Sequence, residues 1–157
     1  MDGGSIMNIN EIVSGFQIIG HSIKTLHLEN GFIFFDPNDD TVQREVYVSY
    51  DMSEPFDADD GDSIGGALTL YIDTKTSNEE NSTEIHLELE GGFILAGSKD
   101  ADKLKEMMAV NGCAALYSIG RGIISGITSQ MSVDGTGTIM LPMINTFELR
   151  NDQEGEH

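Results

Sequence analysis

The chain has 157 residues, a length that suits one domain with a hydrophobic core of its own. Its 27 acidic residues against 8 basic ones give a formal net charge of −19. That balance argues against nucleic acid and against docking on an anionic membrane, both of which need concentrated Lys and Arg. It suits either charge-based solubility or attraction of basic, unfolded partners.

Residues 1–13 open with MDGGSIMNINEIV, which has no basic region followed by an apolar stretch. No signal peptide is expected there, and the segment is read as a flexible N-terminus to a single domain over 14–148. From Phe16 the chain reads as a strand. Phe16 and Ile18 alternate with polar neighbours, and after "GHS" so do Leu26 and Leu28. The change of phase near Gly20 predicts a bulge or bend. "ENGFIFFDPNDD" (29–40) is rich in turn formers and reads as a loop. "VQREVYVSY" alternates cleanly, with Val42, Arg44, Val46, Val48 and Tyr50 on one face. After the acidic connection "DMSEPFDADDGDS", "ALTLYIDT" puts Leu68, Leu70 and Ile72 on one face. "EIHLELEGGFILAG" puts Ile85, Leu87 and Leu89 on one face and His86, Glu88 and Glu90 on the other. Four strands joined by polar connections predict a half-buried antiparallel meander.

The texture then changes. "SKDADKLKEMMAVNG" opens with Ser98, has acids early and Lys103 and Lys105 later, and reads as a short helix. In "NGCAALYSIGRGIISGITSQ" (111–130), Leu116, Ile119, Ile123 and Ile127 recur at three- and four-residue steps, widened by Tyr117 and Ile124. That is a long helix. Ala114, Ser118, Gly122, Ser125 and Ser129 form a smooth second face. Three interior glycines cost about 3 kcal/mol relative to Ala, and burial of one Leu or Ile returns about 1.5–3 kcal/mol. Both helix faces therefore need cover: one from the sheet, the other most economically from a second copy of the chain. Ordinary core packing in a monomer is the alternative. "SVDGTGT" reads as a loop and "IMLPMIN" as an extended apolar segment that Pro142 keeps out of the middle of a sheet. The tail 149–157 is polar and acidic and is expected to be disordered. No apolar run is read as long enough to span a bilayer.

Chemistry-bearing patterns are weak. "DADDGD" fails the calcium-loop register, because counting back from Gly61 puts Phe56 at position one. His86, between Glu84 and Glu88 on a strand face, would hold a metal only with outside help; no metal and no cofactor are expected. Cys113 is the single cysteine, so no internal disulfide forms, and its default is a buried, unreactive thiol. A cytoplasmic location is the expectation.

The C-terminal half resembles the SecB family of export chaperones. "EGGFILAG", then "LKEMMAVNGCAALYSIGRGIISGITSQ", then "SVDGTGTIMLPMIN" follow the family's order of a strand ending in a Gly pair, a helix with a central Arg, and a glycine loop leading to a Pro-containing motif. Arg121 stands at the helix Arg, and Pro142, Ile144 and Asn145 match the terminal motif. "FQIIGHSIKTLHLE" is similar to the family's first strand. Met143 and Thr146 depart from the motif, and the chain is read as a short form lacking the second C-terminal helix. The resemblance implies an α+β domain: a four-stranded antiparallel sheet, a short helix and one long packing helix. It implies a homo-oligomer, a tetramer built as a dimer of dimers, with Ser118, Arg121, Gly122, Ser125 and Gly126 at the interface. It gives the methionines a use, in a groove of Met107, Met108, Leu116, Met140, Leu141, Met143 and Ile144 that binds unfolded or precursor polypeptides. Glu29 and Glu88 match acidic positions on the family's SecA-binding face, but the second C-terminal helix is read as missing and Thr25 stands where a third acid is usual, so weak or absent SecA binding is expected.

The reading is therefore an ATP-independent holdase in protein export that carries out no reaction. The alternatives are a SecB-like chaperone of a toxin–antitoxin system, an adaptor with one dedicated partner, or a small enzyme using His86 and Glu88.

Overall fold

The computed structural model describes residues 15–155 apart from 33, 35, 37 and 134. The expected flexible segment 1–13 lies outside the described residues. Four long strands, β1 (Phe16–Glu29), β2 (Gln43–Met52), β4 (Ile64–Ser77) and β5 (Ser82–Leu95), form an antiparallel sheet with the short β3 (Phe56–Asp57). The α+β class holds, with one face of the sheet covered by helix and the other open.

The strand order is not the expected meander. It runs β1-β5-β4-β2, with β3 pairing β4 beyond the end of β2. This is a Greek-key order, in which β1 lies beside the last strand and the connection 30–42 crosses to the opposite edge. Alternation shows that a segment is a strand but not which strand is its neighbour. The crossing segment is anchored by Phe32, which is buried, and by Asn30, whose Nδ2 donates to the Met131 carbonyl at 2.9 Å. The bulge expected near Gly20 is present: the β1–β5 register slips between Ile18 and Gly20, and again between Ile23 and Thr25.

The core lies between the sheet and the helices. Leu68, Leu70, Ile72, Leu87 and Leu89 are fully buried. Their alternation with polar residues follows from the period of two, since only one face has a helix over it.

The expected short and long helices are one continuous helix, Ala101–Thr128. It consists of α1 (Ala101–Met107), a π-helical turn (Met108–Gly112) and α2 (Cys113–Thr128). Its cap is Asp100 rather than Ser98: the Asp100 side chain accepts from the Lys103 N–H at 3.1 Å. By length and apolar composition this helix is able to cross a membrane, contrary to the sequence expectation, but half of its most apolar stretch is buried inside the fold. The sheet-facing stripe is Cys113, Leu116, Tyr117, Gly120, Ile124 and Thr128. It includes small residues because the helix lies close to the strands. A Cβ on Gly120 would sit 2.6 Å from Ile72 Cδ1.

Residues 149–155 are not disordered. They continue α3 (Thr146–Gly155), so the chain does carry a second C-terminal helix. Asn145 caps it, its Oδ1 accepting from Phe147 N–H at 3.0 Å and Glu148 N–H at 3.3 Å. The helix packs on β2 and on the π-helical turn, and Arg150 pairs with Glu106.

Candidate functional site

The extended segment 139–144 is outside the sheet, so its backbone must find partners elsewhere. The long helix supplies them. Thr128 Oγ1 accepts from the Ile139 N–H at 2.7 Å. Arg121 Nε donates to the Leu141 carbonyl at 3.0 Å, and the Tyr117 hydroxyl donates to the Pro142 carbonyl. Ile139 and Leu141 are thereby turned into the core at 6% and 2% exposure, while Met140 and Met143 stand out at 69% and 85%. Phe147, on the first turn of α3, is 57% exposed. Met140 and Met143 are thus held out to solvent on a segment that the long helix fixes, and Phe147 follows on α3 with the Arg150 guanidinium 5.7 Å from its ring centroid.

The polypeptide-binding residues expected from sequence divide accordingly. Met140 and Met143 are presented to solvent, and Met107 and Ile144 are half-buried against the core. Met108, Leu116 and Leu141 are corrected: all three are core side chains. Met108 and Leu116 fill the space above Gly66 and Gly91 of the sheet. A Met-rich sequence does not make one surface, because the helix turns its residues inward with a period near 3.6 and the extended segment turns every second residue inward.

A second apolar surface was missed. Ile18, Ile23 and Leu26 of β1 lie opposite Phe93, Leu89 and Leu87, hence on the helix side of the sheet. They remain 38%, 48% and 40% exposed, because the long helix packs over β4 and β5. Tyr117 and Arg121 hold the 139–144 segment on the β2 side, which places Ile119, Ile123 and Ile127 on the other flank, toward β1. These three isoleucines are only half-buried. Alternation in β1 signalled an inward face; nothing local signalled that the helix stops short of it.

Of the expected interface residues, Ser118, Gly122 and Gly126 lie on the exposed back of the helix and Ser125 beside them. A Cβ on Gly122 or Gly126 would meet nothing within 4 Å. Arg121 is committed within the chain, to Leu141.

The open face of the sheet is polar. His86 spans two strands, with Nδ1 2.6 Å from Asp73 Oδ1 and Nε2 3.1 Å from Glu88 Oε1. Asp73 first and Glu88 second raise its affinity for a proton above the ordinary value. With both ring nitrogens engaged by carboxylates, the imidazolium pins strands together and has no lone pair free to act as a base. Glu88 is held below the usual carboxylate range, by His86 and then by Thr25. Glu29 is exposed at the end of β1, 3.5 Å from His27. Lys24 with Glu90, Lys75 with Glu84 and Tyr71 with Asp51 are further pairs on this face. Among the described residues no three side chains converge to hold a metal. Asp60 is a turn former rather than a calcium ligand: its carboxylate accepts from the Asp62 and Ser63 N–H groups and from the Ser63 hydroxyl. Cys113 is buried, and burial pushes its thiol up to about 12.

No protein-family model matches the chain, and no curated protein matches it in sequence. Solved structures do match in shape. The SecB-like chaperone Rv1957 of Mycobacterium tuberculosis, solved with a ChAD peptide from the Rv1956 HigA1 antitoxin, superposes with a TM-score of 0.63 at 14% identity, covering 83% of this chain and 91% of that one. A protein of unknown function from Streptococcus agalactiae superposes with a TM-score of 0.54 at 10% identity, covering 82% of this chain and 97% of that one. The likeness is one of fold: an open antiparallel sheet backed by a long helix, as in a SecB-like chaperone.

Proposed function

We propose that the protein is an ATP-independent chaperone that holds unfolded polypeptide on the strip formed by Met140, Met143 and Phe147. The supporting observation is the exposure of three large apolar side chains, two of them adaptable methionines on a segment that the long helix holds by hydrogen bonds. The chain performs no reaction in this reading. The β1 face and the back of the long helix are the contacts of a homo-oligomer, a dimer of dimers, leaving the strip for clients. Export of precursor polypeptides is one setting, with a SecA-type motor on the acidic sheet face at Glu29 and Glu88. Since α3 is present, the lack of a second C-terminal helix no longer argues against such a motor. A second setting is the care of one antitoxin, favoured by the antitoxin peptide bound to the structurally similar mycobacterial protein.

Fluorescence anisotropy with labelled, reduced and carboxymethylated lysozyme tests the reading. Saturable binding is expected, weakened about tenfold or more by Met140→Gln with Met143→Gln, since each side chain withdraws about 1.5–3 kcal/mol of apolar burial. No binding at micromolar protein sinks it. Tight binding of a single native partner, with no affinity for unfolded chains, favours the dedicated setting.

A further inference from the structure

β2 ends the sheet on one side, and at one point its outer edge is occupied by a side chain that imitates a strand. The Tyr50 N–H donates to Gln153 Oε1 at 2.7 Å, and Gln153 Nε2 donates to the Tyr50 carbonyl at 2.9 Å. These are the two bonds that a facing residue on an added antiparallel strand makes. A carboxamide reproduces them because it carries the donor and acceptor of a peptide group. Both Tyr50 groups therefore point away from β4. Strand residues two apart repeat the orientation, so the N–H and C=O of Val46 and Val48 lie on the same outer edge, and no strand follows β2 in the sheet order there.

Gln153 stands between two clefts along this edge. One is lined by Tyr47, Val48, Ser49 and Asp152, and the other by Met52, Ser53, Glu54 and Lys105. Asp51 and Glu154 add to an acidic rim. The β2–β4 register is unbroken from Gln43 to Met52, whereas the β1 edge is bulged twice. β2 is thus the more regular template of the two edges.

We propose that an extended client segment adds to the β2 edge as a strand, and that Gln153 on α3 is the latch that competes for it. The proposal rests on the chaperone reading above. The partner it fits is an unfolded polypeptide in extended form, with Lys or Arg near an apolar stretch to meet the acidic rim. Main-chain bonds bind such segments with little regard to sequence, as a holder of unlike clients requires. A segment extending past Val48 replaces the two Gln153 bonds with two of its own. The exchange is nearly even, so the latch opens for a strand and stays closed without one.

Amide hydrogen exchange with reduced, carboxymethylated lysozyme as the probe tests this. On binding, the Val46 and Val48 amides slow about tenfold or more. Gln153→Ala binds the probe about tenfold tighter, having no latch to displace. Val48→Pro removes an outward N–H without touching the ladder to β4; it loses most of the binding while the β4 amides stay protected. If the probe binds but the Val46 and Val48 amides exchange as before, and Gln153→Ala binds no tighter, strand addition is wrong and the chaperone reading survives. If neither wild type nor Gln153→Ala binds the probe, both fall.

Discussion

At the scale of single residues, His86 ties β5 to β4 through Asp73, with Glu88 of its own strand on the other ring nitrogen, in a charged bridge whose pH dependence has a definite sign. His86 binds its proton more tightly than its ordinary value of 6.5, so its stabilisation is complete below 6.5 and is lost as pH rises through the raised value. Glu88 is held below its ordinary 4.5, so its contribution is complete above 4.5 and is lost as pH falls through the lowered value. The bridge is fully present between those two ordinary values. His86→Gln is therefore expected to lower Tm more at about pH 5.5 than at about pH 9; equal losses at both would contradict the bridge. Gly120 carries a different constraint. A side chain there must displace Ile72, which is fully buried. Gly120→Val is expected to destabilise by about 1–3 kcal/mol through overpacking, measured as a lower urea midpoint. In sequence, Gly120, Gly122 and Gly126 carry the same cost, and only the latter two take a place, at an interface. Only the distance of the helix from the sheet separates the first, which is pressed on the core, from the other two, which face outward.

At the scale of elements, the helix ends decide what could be read. Asp100 supplies the cap of the long helix, and Asp100→Ala is expected to cost about 1 kcal/mol; an unchanged denaturation midpoint would rule out that role. Ser98, with which the segment opens, lies before the helix, and its hydroxyl accepts from the Asp100 N–H. The strands were legible because apolar and polar residues alternate along β2, β4 and β5, and along β1 on either side of its bulges. The faces of the long helix were less so. The isoleucine stripe 119, 123 and 127 is strongly apolar, yet the sheet takes the stripe of small and mixed residues, and the isoleucines fall on a half-buried flank. α3 was missed altogether, because its residues are polar and acidic and no apolar period marks them. Its signal was Asn145 with Glu148 three residues on, the pattern of a helix start. α3 holds to the body by Thr146, by Leu149 packed against the core, by the Arg150–Glu106 pair and by Gln153.

At the scale of the whole molecule, the neighbour relations of strands are set by a crossing connection, and no local pattern encodes them. That is why four strands were legible and their order was not. The order matters for assembly: it puts β1, with Ile18, Ile23 and Leu26 half-exposed, at an open edge. Those half-exposed side chains offer a second copy apolar surface to cover, and the smooth outer face of the helix admits a second backbone. Light scattering is expected to show an oligomer at micromolar concentration. Gly122→Leu is expected to lower its mass while leaving the circular dichroism of the fold unchanged, since nothing within the chain lies near that Cβ. A monomeric wild type would overturn the assembly.

The net charge of −19 offers a competing way to hold basic clients, by long-range attraction rather than by apolar contact. Ionic strength separates the two, because the Debye length shrinks to about 3 Å at 1 M salt while apolar burial persists. The decisive measurement is suppression of aggregation of a thermally unfolded client, at about 0.1 M and about 1 M salt, by wild type and by the Met140→Gln, Met143→Gln double variant. The account predicts that wild type protects at both salt concentrations and that the variant, with its oligomer intact, protects poorly at both. Protection that vanishes at high salt, with the variant behaving as wild type, would show that surface charge and not the methionine strip holds the client.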